Sequence, residues 1–176
     1  RRQRQMCIRD SMCTDSLGGV FVTWQDKRGG VHDDIYGTHI SADYTVIALG
    51  SGVPIVDATG DQNSKTIEYA GNNEAFIAWA DFREGSNADV YAQRLDISMN
   101  YLFQANGLPV ASTEQQELKP RATFVNATTS FIAWKEGDEN SKVLYQFVDD
   151  NGLVFDNAKP ISSNTSLQTA PRVKRS

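Results

Sequence analysis

The sequence contains few cysteines and histidines, the residues that stabilise folds through disulfide bonds or metal ions. Among 176 residues there are two cysteines and two histidines. Cys7 and Cys13 form no disulfide framework, and His32 and His39 have no cysteine or glutamate at metal-ligand spacing. We therefore expect no metal ion and no other cofactor, and calcium, which carboxylates alone can bind, is the one alternative left open.

Long apolar runs and clustered basic residues are also missing. No stretch approaches the roughly 18 apolar residues that a membrane-spanning helix needs, so we expect no insertion into a membrane. The chain carries a net charge of −5. Binding to phosphates requires clustered lysine and arginine, and the only late cluster, at 172–175, is short. Nucleic acid is therefore excluded as an expected partner.

Residues 1–11 match nothing in the rest of the chain. They hold four arginines and one aspartate, so the remaining chain carries −8 when the whole carries −5. The stretch Met6 to Asp10 reads like a translated sequencing-library adaptor at the end of a metagenomic fragment, and the alternative is a native basic tail. Under either interpretation, we expect the folded part to begin at about residue 12.

The most informative feature present is a 55-residue repeat, marked by Trp24, Trp79 and Trp134. The first two copies share the segments Trp-x-Asp-x-Arg, Asp-Ile/Val-Tyr and Gly-x-Pro without a gap, and the third keeps them in part. Repeats of this length are typical of solenoids and propellers, in which each unit buries its apolar surface against its neighbours. Function therefore has to be sought in an array of units.

Turn residues divide each unit into four short strands. In the middle unit, strands are predicted over 66–70, 75–81, 89–96 and 108–111, separated by clusters of glycine and asparagine. The predicted divisions are a first unit over 12–65 that lacks its beginning, a second over 66–118, a third over 119–169 and the start of a fourth at 170–176.

The second strand of each unit is apolar on both faces. In the middle unit Phe76 points to one side, whereas Ile77 and Trp79 point to the other, since side chains alternate along a strand. Such a strand must be covered twice, as in the radially packed blades of a β-propeller. We expect an all-β, propeller-like array of about three four-stranded antiparallel blades, an incomplete ring that is unstable alone or self-associates. Tandem immunoglobulin-like domains are the alternative, but 55 residues are too few for their seven strands.

Charged residues recur around Trp24 and Trp79, are lost together around Trp134, and predict a structural network. We expect Arg83 to bridge Asp81 and Asp89, closing the turn with charge-assisted hydrogen bonds. The alternatives are a calcium site and the acid and base pair of a glycosidase. A catalytic pair occurs once per enzyme, not once per unit, so no catalytic residue is assigned and no enzymatic activity is predicted. The predicted network comprises Trp24, Asp26, Arg28, Asp34, Tyr36, Trp79, Asp81, Arg83, Asp89, Tyr91 and Trp134.

Phe82 is the candidate for a direct ligand contact. It occupies the turn position that Lys27 holds in the first unit. An aromatic side chain on a propeller rim can stack on a sugar ring. The alternative is that Phe82 packs on its own turn.

Together these segments resemble the propeller repeats of large bacterial secreted and cell-surface proteins, over residues 12–176. The resemblance implies a non-catalytic binding or scaffolding module at the cell surface or outside the cell. Its partners would be a protein or a glycan, besides the neighbouring blades of the parent chain. The alternative is a fragment of a propeller glycoside hydrolase or sialidase-like enzyme, although the Ser-x-Asp-x-Gly-x-Thr-Trp box of sialidases is missing.

Overall fold

A computed structural model describes residues 11–138, 141–161 and 171. Within these residues all regular structure is β, with thirteen strands in three antiparallel sheets. No described segment forms a long apolar helix that would cross a membrane. The predictions for residues 1–11 and 170–176 fall outside the described residues, apart from Ser11 and Pro171.

Each sheet is formed by consecutive strands. The first contains β1 (Ser11–Thr14), β2 (Val20–Asp26), β3 (Asp34–Ile40) and β4 (Val53–Val56). The second contains β5 (Gln62–Tyr69), β6 (Ala75–Asp81), β7 (Asp89–Leu95) and β8 (Leu108–Ala111). The third contains β9 (Glu117–Asn126), β10 (Thr129–Glu136) and β11 (Lys142–Asp149), with the short β12 (Gly152–Leu153) and β13 (Lys159–Pro160) both paired to β11.

The sequence repeat is also a repeat of strand register. Trp24 lies opposite Tyr36 and Trp79 opposite Tyr91, while Trp134 lies opposite Leu144. The proline of each Gly-x-Pro segment pairs with the tyrosine that lies opposite the tryptophan, as Pro109 pairs with Tyr91. Equivalent residues of the three sheets can therefore be compared position by position.

The middle sheet is buried on both faces. Ile77 and Trp79 of β6 pack with Phe21 and Ile35 of the first sheet. On the opposite face, Phe76 joins a second apolar cluster that includes Ile132 and Trp134 of the third sheet. All seven residues of β6 are buried. The prediction of an all-β, propeller-like array of four-stranded blades is confirmed, with one additional short strand in the third blade.

Gly107 shows why the Gly-x-Pro segment recurs with the tryptophan. Its φ is +91°, in the left-handed region that favours glycine. A Cβ atom on Gly107 would lie 2.5 Å from Cη2 of Trp79. The indole ring therefore packs directly on the backbone of the next-but-one strand, and the repeat keeps both residues together.

Glu117 is a buried carboxyl at the point where the third sheet begins. Its Oε1 atom accepts a hydrogen bond from the Thr113 hydroxyl at 2.5 Å, and its Oε2 atom has no partner among the described residues. Burial raises the pKa of Glu117 to about 7. The equivalent residue of the middle sheet is Gln62, whose amide donates to the carbonyl oxygen of Gly60 at 2.9 Å.

We expect Glu117→Gln to stabilise the protein above pH 7 and to remove part of its pH dependence. Because the folded-state pKa lies above the usual value of 4.5, the contribution of Glu117 is fully present below about pH 4.5 and is lost as the pH rises through about 7. The difference is on the order of 2 to 3 kcal/mol. Denaturant unfolding of both proteins from pH 4 to 9 measures it. Glu114→Gln, an exposed change in the same loop, is the control and should leave the wild-type profile intact.

Candidate functional site

The repeated tryptophan, aspartate and arginine lie together at the end of the second strand of the middle sheet. Trp79 Nε1 donates to Asp81 Oδ2 at 2.7 Å. The backbone N–H and the Nε atom of Arg83 both donate to Asp81 Oδ1 at 2.9 Å. The Arg83 guanidinium lies 3.9 Å from the Tyr91 ring centroid and donates to the Asn106 carbonyl at 2.8 Å. Asp81 is thus the centre of a turn clamp that joins three strands.

The first sheet contains the same clamp in a more exposed form. Trp24 Nε1 donates to Asp26 at 3.2 Å, and Arg28 Nε donates to Asp26 at 2.8 Å. The hydrogen bonds from Arg28 lower the pKa of Asp26. The Arg28 guanidinium lies 4.2 Å from the Tyr36 ring centroid. In the third sheet, Trp134 Nε1 is buried without a partner among the described residues.

Asp34 and Asp89 lie beside these clamps, and Arg83 makes no hydrogen bond to Asp89 among the described contacts. Asp89 accepts instead from the Ser112 hydroxyl at 3.2 Å. Burial raises the pKa of Asp89. The Arg83 guanidinium makes its two carboxylate bonds to Asp81. The hydrogen-bond donor to Asp89 is therefore a neutral side chain, on the connection that follows β8.

We expect Arg83→Ala to lower the free energy of unfolding by about 1 to 3 kcal/mol, because it leaves the buried Asp81 carboxylate without its charged partner. Asp81→Ala together with Arg83→Ala should have a smaller effect than the sum of the single changes. Arg28→Ala, at the exposed equivalent, is the matched control with a smaller effect. Thermal melts of the four variants, the two single changes, the double change and the control, give these differences.

The same melts test the calcium alternative. Within the described ranges, no three or more histidine, cysteine, aspartate or glutamate side chains gather as metal ligands would. We expect the wild-type melting temperature to be unchanged by a chelator. A fall on adding the chelator, reversed by calcium, would contradict the clamp, since a ligand that binds the folded state stabilises it.

The turns between second and third strands and the connection between the first two sheets lie at one end of the array, which we call the loop end. The Phe82 backbone N–H donates to the Asp61 carbonyl at 3.0 Å, and the Gln62 N–H donates to the Asp33 carbonyl at 2.6 Å. These bonds hold the turns of both sheets to the connection at 57–61. Non-repeated residues of two blades are thereby brought side by side.

Two adjoining depressions open at the loop end and share His32. The first, of about 370 Å³, is lined by His32, Asp61, Phe82 and Arg83. His32 Nδ1 lies 3.7 Å from Asp61 Oδ1. Phe82, the candidate for a ligand contact, is half-buried and lies in this wall. An apolar ring beside a carboxylate and an imidazole offers both a stacking surface and hydrogen-bonding groups.

The second depression, of about 340 Å³, has Asp34 and Asp57 among its lining residues. Asp34 is buried, and Asp57 is exposed. Burial and then the negative charge of Asp57 raise the pKa of Asp34. A carboxyl whose pKa is raised by burial, beside one that faces water, is the arrangement in which one group acts as an acid and the other as a base.

Asp34 belongs to the repeat, with Asp89 as its equivalent, but Asp57 does not. The position of Asp57 is held in the middle sheet by Ser112, which hydrogen bonds to Asp89. The objection that a catalytic pair occurs once per enzyme applies to the repeated clamps. It does not apply to Asp34 and Asp57, because the middle sheet lacks the second carboxylate. Sequence reasoning missed Asp57, Asp61 and His32, and the available signal was that they interrupt the repeat, as Phe82 does.

No family model and no curated protein sequence matches the chain. Among solved structures it is similar to a thermostable family-43 glycoside hydrolase, with a TM-score of 0.50 and 10% sequence identity. The match covers 94% of this chain and 78% of that one. At this identity the likeness is one of fold, and it agrees with the propeller-like arrangement of the three sheets.

The comparison corrects the prediction that the chain is not an enzyme. The solved propeller with the shared fold is a glycoside hydrolase, so the fold gives no ground for excluding catalysis. The prediction was wrong because it rested mainly on the charges that recur in the first two units and did not weigh Asp57. Those charges form turn clamps, whereas Asp57 at the loop end stands where the middle sheet has Ser112.

Proposed function

We propose that this chain is part of a β-propeller enzyme that hydrolyses glycans, with the loop end of its first two blades contributing to the substrate site. The observation that carries the proposal is the carboxylate pair Asp34 and Asp57, in which Asp57 departs from the repeat and the two groups differ in burial. The shared fold with a glycoside hydrolase supports the same class of activity.

In this proposal the two carboxyl groups have different roles. Asp34, whose pKa is raised by burial, protonates the glycosidic oxygen as the bond to the leaving sugar breaks. Asp57 is exposed and accepts a proton from the attacking water or attacks the sugar carbon itself. Phe82 stacks on a sugar ring, and His32 and Asp61 receive sugar hydroxyl groups. The resemblance to secreted and cell-surface repeats supports the further proposal that the enzyme acts on its glycan outside the cell.

The repeat itself supplies the test variants. Release of reducing sugar from a panel of plant and bacterial polysaccharides identifies the substrate of the wild type. Asp57→Ser introduces the residue that the middle sheet has at this position, so it should preserve the fold and lower the rate by at least about 100-fold. Phe82→Lys introduces the first-blade residue and should raise KM with little change in kcat. Wild-type protein inactive on every glycan, or full activity in Asp57→Ser, would contradict the proposal.

A further inference from the structure

The outer sheets each present an apolar face that no described residue covers. The leading face, on the first sheet and its β1–β2 turn, comprises Met12, Leu17, Val22 and Trp24. Met12 is 66% exposed and Leu17 is 59% exposed. The trailing face, on the third sheet, comprises the half-buried rings of Phe131, Tyr145, Phe147 and Phe155, whose centroids lie 5.3 to 6.1 Å apart.

The same two kinds of face already pack against each other inside the molecule. Phe76, the middle-sheet equivalent of Phe131, packs in one cluster with Trp134, the third-sheet equivalent of Trp24. The contact between the second and third sheets is therefore a trailing face against a leading face. A trailing face on the third sheet and a leading face on the first sheet are the two halves of one more such contact.

The two uncovered faces also complement each other at the one position where the internal contact is polar. Inside the array, Arg94 lies opposite Phe76 and donates to the Ala127 carbonyl in the turn of the next sheet at 2.8 Å. On the trailing face the residue opposite Phe131 is Phe147. On the leading face the turn position of Ala127 is held by Leu17. Where the internal contact pairs Arg94 with a backbone carbonyl, the uncovered faces offer the apolar side chains of Phe147 and Leu17.

We propose that a second copy of this chain covers both faces, with the trailing face of each copy packed on the leading face of the other. Two copies with three blades each then close a ring of six blades, within the range of about four to eight found in propellers. The two contacts are identical and are related by a two-fold axis through the ring. Closure leaves no apolar sheet face open to water.

Sedimentation of the protein as it stands tests this. The wild type should sediment at twice the 19.5 kDa of one chain. Leu17→Arg and Phe147→Arg each place a charge in both contacts and should give monomers. Ile97→Arg, an exposed change in the turn after β7 of the middle sheet, is the control and should remain a dimer. Circular dichroism reports folding, and Phe155→Arg replaces Phe147→Arg if the latter unfolds.

Mixing the two monomeric variants separates the head-to-tail contact from a symmetric one. Leu17→Arg retains an intact trailing face and Phe147→Arg an intact leading face, so an equal mixture should recover a dimer held by one contact. A contact between two copies of one face would leave one variant dimeric and gain nothing on mixing. That result, a monomeric wild type, or assemblies larger than two copies would overturn the proposal.

Discussion

Replacing Trp79 with alanine is expected to lower the free energy of unfolding by about 3 to 5 kcal/mol, because the indole is fully buried between the first two sheets. Trp24 occupies the same position in the first sheet, with no described sheet beyond it, and is only half-buried. Trp24→Ala should therefore have less than half that effect. Denaturant unfolding at protein concentrations low enough to keep the chains monomeric makes the comparison. Equal effects would mean that neighbouring blades do not provide the burial.

A second large effect is expected at Arg94, whose side chain is 4% exposed. Its Nε atom lies 2.5 Å from Glu74 Oε2 in an ion pair, and its Nη2 atom donates to the Ala70 and Ala127 carbonyls at 3.1 and 2.8 Å. It also contacts Asp150 of the third sheet. One guanidinium thus joins the turns of two neighbouring blades.

We expect Arg94→Met to destabilise the protein by about 3 to 5 kcal/mol, because it strands the Glu74 carboxylate and the turn carbonyls without a donor. Arg94→Lys should recover only part of the loss, since an ammonium group lacks the planar fork that reaches several acceptors. Chemical unfolding of both variants at pH 7 gives the values. An effect of Arg94→Met below about 1 kcal/mol, typical of an exposed ion pair, would contradict this interpretation.

Those features that depend on periodicity could be predicted from the sequence. The alternation of Phe76, Ile77 and Trp79 on two apolar faces predicts double coverage, and the structure places these residues in two different clusters. The spacing of Trp, Asp and Arg predicts a turn clamp at each of the first two units. The bonds among these three follow from their spacing, because they lie within five residues, but the predicted bond from Arg83 to Asp89 is absent among the described contacts.

Contacts between units could not be predicted in the same way. The second strand of every sheet carries a phenylalanine at the same repeat position. The residue opposite it is His39 in the first sheet, Arg94 in the second and Phe147 in the third. Because this position changes in every unit, the repeat gives no sign of its importance. In the first sheet, for example, His39 Nε2 lies 2.8 Å from the buried Asp15. Ser112, the partner of Asp89, is 23 residues away in sequence. Long-range partners of this kind become visible only when the sheets are placed side by side.

The same limit applies to the loop end. Asp57 and Phe82 belong to different blades and meet around His32 only because the connection at 57–61 is held to both turns. In a repeat array the shared residues specify the blade, and the exceptions are free to specify a site. Residues that break the period are therefore the ones to test for chemistry.

The most direct measurement compares two substitutions at one repeat position. Asp34→Asn and Asp89→Asn each remove a buried carboxyl from the start of a third strand, so they perturb their blades alike. On the glycan that the wild type cleaves, Asp34→Asn should lower kcat by at least about 100-fold, and Asp89→Asn should leave kcat within about threefold of the wild type. Equal losses in both variants, or activity retained in Asp34→Asn, would contradict the assignment of the loop end as the catalytic site.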